Sequence, residues 1–128
     1  MAGAGISPNG ENAKKYLTIA AEQGDALAQN NLAGLYYEGK LIKQDYVQAA
    51  KWYQKAAEAG IKPAQSTLAL MYKYGRGVPA DTTKACMWMI LCNPSYELQK
   101  EILQGMTGPQ IYAGKQMATQ WSQSHPNL

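Results

Sequence analysis

The chain repeats itself. Shifted by 36 residues, positions 20–53 fall on positions 56–89, and 13 of the 34 pairs are identical. They include Ala20/Ala56, Glu22/Glu58, Gly24/Gly60, Ala28/Ala64, Gln29/Gln65, Leu32/Leu68, Tyr36/Tyr72, Gly39/Gly75, Asp45/Asp81, Ala49/Ala85 and Trp52/Trp88. Chance would give roughly two or three such pairs. The register runs backwards too, since Ala13, Lys15 and Tyr16 precede Ala49, Lys51 and Trp52 by the same step. A unit this short cannot bury all its apolar faces alone; stacking on its neighbours does so, which favours a repeat array over a closed globule.

Each unit reads as two helices. Ala28, Leu32, Leu35 and Tyr36 recur at three- and four-residue steps and share a face. Asp25 follows Gly24 at an N-cap position, and Gly39 and Gly75 stop the first helix of each unit. Asp45 and Asp81 then cap the second helix, with Gln48 placed to complete a capping box at the former. Ala49, Trp52, Tyr53 and Ala56 point inward on that helix, which ends at Gly60.

The pattern changes after Cys92. Asn93-Pro94-Ser95 breaks the chain, and Tyr96 to Gln104 reads as a short helix. Thr107-Gly108-Pro109-Gln110 then starts a helix that presents Ile111, Met117 and Trp121. This pair reads as a C-terminal cap. The resulting organisation is a flexible segment over 1–10, a half repeat over 11–24, repeats over 25–60 and 61–92, capping helices over 93–123 and a tail over 124–128.

Several chemistries are disfavoured. Twelve Lys and Arg against nine Asp and Glu leave a net charge of +3, and the cations are scattered, unlike the concentrated face of a nucleic-acid binder. The one histidine, His125, is the fourth-last residue and reads as solvated. No internal imidazole can serve as base or metal ligand, and no nucleophile is paired with a base, so no catalytic residue, metal or cofactor is assigned. Cys86 and Cys92 occupy the small-residue slots of Ala50 and Ala56 and point apart around one helix, which opposes a bridge. No apolar run reaches the ~20 residues of a membrane span. The residues as they stand suggest a cytoplasmic protein, or a periplasmic or secreted one if a leader has been removed.

The stretch Ala20-Ala21-Glu22-Gln23-Gly24-Asp25-Ala26-Leu27-Ala28, continuing through Leu32 and Tyr36 to Gly39, resembles the Sel-one-like repeat, a branch of the tetratricopeptide-like helical repeats. Asp45, Ala49, Lys51-Trp52-Tyr53, Ala56-Ala57 and Gly60 match its second half, as do Tyr72, Gly75-Arg76-Gly77-Val78, Asp81, Lys84-Ala85 and Trp88. Leu41-Ile42 departs from the pattern, where the second repeat has Gly77-Val78. The resemblance covers about residues 11–92. It implies an all-α fold, a right-handed α-α superhelix closed by the C-terminal helix pair. It also implies a non-enzymatic adaptor that binds a partner protein or peptide on its concave face, bacterial effector-immunity and envelope-assembly adaptors among them. The alternative is a binder of cell-wall fragments or β-lactam-like molecules, as in cysteine-rich relatives; the absence of a cysteine pair in each repeat opposes it.

Functional residues should be those that the repeat leaves free to vary. Opposite the core face, the first helices carry Leu27, Asn30, Gly34 and Tyr37 in one unit and Pro63, Ser66, Leu70 and Lys73 in the next, with no identical pair. By analogy with related solenoids this face lines the concave side. Leu27, Asn30, Tyr37, Ser66, Leu70 and Lys73 are therefore the candidate partner-binding residues. Lys40 and Arg76, on equivalent loops, would add an edge contact for an acidic partner. Residues 11–23 lack a preceding first helix, so self-association through that side is a further expectation.

Overall fold

The computed structural model describes residues 8–128, and these form seven α-helices and no strand. They are α1 (Pro8–Glu22), α2 (Ala26–Glu38), α3 (Tyr46–Glu58), α4 (Lys62–Tyr74), α5 (Thr82–Cys92), α6 (Tyr96–Leu103) and α7 (Gly108–Ser124). Most of the segment read as flexible, residues 1–7, lies outside the described residues; Pro8, Asn9 and Gly10 form the first turn of α1.

Local chemistry sets the helix ends. Asp25, Asp45 and Asp81 accept hydrogen bonds from the backbone N–H groups of Ala28, Gln48 and Lys84 at 3.0–3.1 Å, satisfying otherwise orphaned donors. Gln48 does not reciprocate, so the capping box expected at α3 is a single-sided cap. The reciprocal box forms instead at α7, between Thr107 and Gln110. Gly39 and Gly75 adopt left-handed backbone and donate to the carbonyls of Leu35 and Met71, which turns the chain sharply out of α2 and α4.

Helices α1 to α5 pack in sequence, each against the next. Leu32, Leu68, Ala49, Ala85 and Ala56 are fully buried, so the helix axes meet over small side chains and leucine. Trp52 and Trp88, 5% and 2% exposed, are both buried one unit apart. A polar contact repeats with them. Gln29 Nε2 donates to the Ala21 carbonyl at 3.1 Å, and Gln65 Nε2 to the Ala57 carbonyl at 3.0 Å. Each bond ties the last turn of a second helix to the first helix of the next unit.

The stack closes differently from its interior. The short α6 touches α4 and α5 lightly, and α7 takes the main contact with α5. Gly114 lies on Cys86 with no space for a Cβ, while Ala118 and Ser122 line a groove with Ile90 and Leu91, so α7 runs alongside α5 in the same direction. Trp121 meets Trp88 edge-on, with ring centroids 5.7 Å apart. His125 is not a solvated tail residue. It ends α7, and its ring stacks on Trp121 at 4.0 Å with 11° between the planes, because the helix end aims it back over the indole.

Candidate functional site

The variable face of the first helices divides into two parts. Tyr37 and Lys73 occupy the same repeat position, and both spend their polar atoms on the next unit. The Tyr37 hydroxyl accepts from Arg76 Nη1 at 2.8 Å, and its ring packs on Tyr46 and Tyr53, with centroids at 5.2 and 6.1 Å. Lys73 Nζ donates to the carbonyls of Ile102 and Gln104 at 3.0 and 2.7 Å, capping the end of α6 with positive charge where the helix dipole is negative. Their sequence difference thus reflects two different intramolecular partners. Arg76 also lies over the Tyr74 ring at 4.9 Å, and the Tyr74 hydroxyl donates to Glu101 at 2.6 Å.

The second part is less committed. Leu27 is 64% exposed on α2. One turn on, Asn30 is half-buried, and its Oδ1 is shut from solvent with no hydrogen-bond partner among the described residues. Gly34 follows another turn later. On α4, Ser66 donates to the Pro63 carbonyl at 2.9 Å, and Leu70 is half-buried against the core.

Tyr53 of α3 lies beneath this face. Its hydroxyl stands 3.5 Å from where a Gly34 Cβ would be. Burial raises its pKa, with the Thr67 side chain opposing, and it stays a neutral phenol near neutral pH. The wall between α2 and α4 therefore has a polar floor at Tyr53 and apolar sides at Leu27 and Leu70. The six candidate residues split into two structural anchors, Tyr37 and Lys73, and four wall residues, Leu27, Asn30, Ser66 and Leu70.

Reading residue by residue missed Tyr53 and the Gln29/Gln65 pair. The glutamines had a usable signal: a polar residue identical in core register at both units. A surface depression of about 670 Å³ lies in the cap between α5 and α7. Among the described residues no cluster of three metal-ligating side chains forms, and no helix is long and apolar enough to cross a membrane. Cys86 and Cys92 are free thiols; burial raises both pKa values, Cys92 to about 11.

Three copies of the Sel1 repeat match the chain, over residues 1–25, 26–61 and 62–91. The chain belongs to the Sel1 repeat family. Sel1 arrays generally act as scaffolds for protein–protein interaction and are typically non-catalytic. No curated protein sequence matches. Among solved structures, the Sel1 chain is similar to a protective antigen of uropathogenic Escherichia coli that displays this fold, with TM-score 0.76 and 29% identity. That match covers 86% of this chain and 25% of the antigen. It is also similar in fold to a Sel1 repeat protein of Oxalobacter formigenes, with TM-score 0.66 and 24% identity over 87% of this chain and 49% of that one. The chain thus spans between a quarter and half the length of these relatives.

Proposed function

We propose that this Sel1 array binds a partner protein or peptide on the inner wall formed by α2 and α4, with Leu27, Asn30, Ser66 and Leu70 as contacts over the Tyr53 floor. One observation carries the reading. Gly34 sits mid-helix in α2, where glycine costs about 0.5–1 kcal/mol relative to alanine, yet a Cβ added there would meet its nearest neighbour at ordinary contact distance, 3.5 Å. Packing therefore does not require glycine here. What glycine provides is an opening above the Tyr53 hydroxyl, and the same position in the next unit is filled by Leu70. An opening at Gly34 flanked by Leu27 and Leu70, with the Tyr53 hydroxyl beneath it, suits a side chain of an incoming segment. The rigid stack lowers the ordering cost of binding.

The test is affinity capture from the native cell with the wild type, Gly34→Ala and Gly34→Leu, followed by mass spectrometry. Gly34→Leu fills the opening with the residue that the next repeat carries. It should lose the partner that the wild type and Gly34→Ala retain. An identical captured set for all three would refute the wall.

A further inference from the structure

We propose that Arg76 is a carboxylate receptor at one end of the inner wall, and that the partner segment is acidic. With the inner wall as the binding face, on which this rests, such a segment sets an Asp or Glu side chain on the guanidinium while an apolar side chain enters the Gly34 opening. Tyr37 follows Gly34 by three residues on α2, and Tyr74 follows Leu70 by four on α4, so each stands one turn beyond a wall residue. Arg76 joins the two. Its Nη1 donates to the Tyr37 hydroxyl at 2.8 Å, and its guanidinium carbon lies 4.9 Å from the centroid of the Tyr74 ring. The cation therefore reaches across from α4 to α2 where the wall ends.

The charge there is oriented but not neutralised. Among the described residues the guanidinium makes that one hydrogen bond and no ion pair, and the titratable groups near enough to act on it are Tyr37, Tyr46 and Tyr74, all phenols. Glu101 of α6 faces the same cluster, but it accepts from the Tyr74 hydroxyl at 2.6 Å and not from Arg76. A guanidinium that spends a single donor on a neutral hydroxyl keeps a planar fork for a carboxylate. The ring and the hydroxyl fix that fork in advance, which lowers the side-chain entropy lost on binding.

The repeat comparison singles out this cation. Glu38, Gly39 and Lys40 stand where the second unit has Tyr74, Gly75 and Arg76. The earlier unit thus has a carboxylate in place of the orienting ring and a flexible ammonium in place of the fork. Among the described residues the Lys40 side chain has no hydrogen bond or ring contact to hold it. Lys73 is no rival either, since the Ile102 and Gln104 carbonyls already take its ammonium. Of the cations on this side, Arg76 alone is both held in place and left with donors to offer.

A phage library of random dodecapeptides is selected on the full chain and, in parallel, on Gly34→Leu. Peptides that bind the wild type and not Gly34→Leu define the wall, and they should carry an Asp or Glu at a fixed distance from an apolar residue. One such peptide and its Asp-to-Asn or Glu-to-Gln form are then titrated by fluorescence anisotropy. On the wild type the acidic form should bind about ten-fold tighter or more than the amide form. That difference should vanish on Arg76→Gln, whose affinity for the amide form stays at the wild-type level; loss of both forms alike overturns the proposal. Arg76→Lys, which keeps the charge without the fork, should restore part of the preference. Wall peptides without acidic enrichment, or an acidic preference that survives Arg76→Gln, overturn the proposal and leave the wall standing. If no peptide distinguishes the wild type from Gly34→Leu, the wall itself falls and the receptor with it.

Discussion

Gly77 lies against the Tyr46 carbonyl, leaving no space for a Cβ. One repeat earlier the same contact joins Leu41 to Gly10, with the glycine on the opposite side. The start of a second helix and the loop of the following unit approach so closely that one partner must lack a side chain. The first contact places glycine in the loop, the second on the helix. This explains why Leu41-Ile42 can depart from the Gly77-Val78 pattern: Gly10 compensates.

Gly77→Ala should therefore be among the most damaging single changes in the array. It must hold alanine at φ +75° and also push aside the Tyr46 backbone. Left-handed backbone alone costs about 1–2 kcal/mol, and the overlap adds to it. Gly105→Ala is the control, with φ +82° and nothing within 4 Å, and should lose only the backbone cost. Urea unfolding of both variants measures the difference.

Lys73→Ala should loosen the cap without melting the array. It removes two bonds, to the Ile102 carbonyl of α6 and to the carbonyl of its C-cap Gln104, the first of them half-buried, and should cost about 1–2 kcal/mol. Hydrogen exchange should show lost protection in α6, with α2 to α4 unchanged.

Stability should fall above neutral pH in a window set partly by Cys92. Burial lifts its thiol to about 11, against the opposing pull of Lys62. Below the unfolded pKa of about 8.5 both states hold the proton and the contribution is complete. As pH rises towards 11 the unfolded chain ionises first, and stability is lost. Cys92→Ala, the residue of the preceding repeat, should flatten that fall; Cys86 and Tyr53, also raised, should keep part of it. Chemical denaturation from pH 8 to 11 checks this.

Gln65→Met should cost about 1 kcal/mol, the worth of one hydrogen bond. The figure stays low because the Ala57 carbonyl keeps a second donor, the Gly60 N–H at 3.0 Å, and because the unpartnered Oε1 of Gln65 disappears. Gln65→Ala opens a cavity as well and should cost about 2–4 kcal/mol. Thermal unfolding separates the two.

The helices, caps and tryptophan column were legible because each rests on a local rule or a fixed register. Asp25, Asp45 and Asp81 cap for reasons contained within four residues, and Trp52 and Trp88 are both buried because their units repeat. The cross-unit contacts were not legible. Nothing in sequence spacing tells that Tyr37 meets Arg76, 39 residues on, or that Lys73 reaches the end of α6. Variation at that position looked like a binding surface, whereas it records a change of internal partner. The stacking of His125 on Trp121 was hidden for a different reason. It depends on how the last turn of α7 ends, and no repeat exists to compare it with.

The inner wall is tested most directly by site-specific photo-crosslinking in the native cell. A photoreactive phenylalanine analogue replaces Leu27, Leu70 or, on the first turn of α3, the 66% exposed Val47. The account predicts that one partner crosslinks from positions 27 and 70 and not from 47. Crosslinking from 47 alone would contradict it.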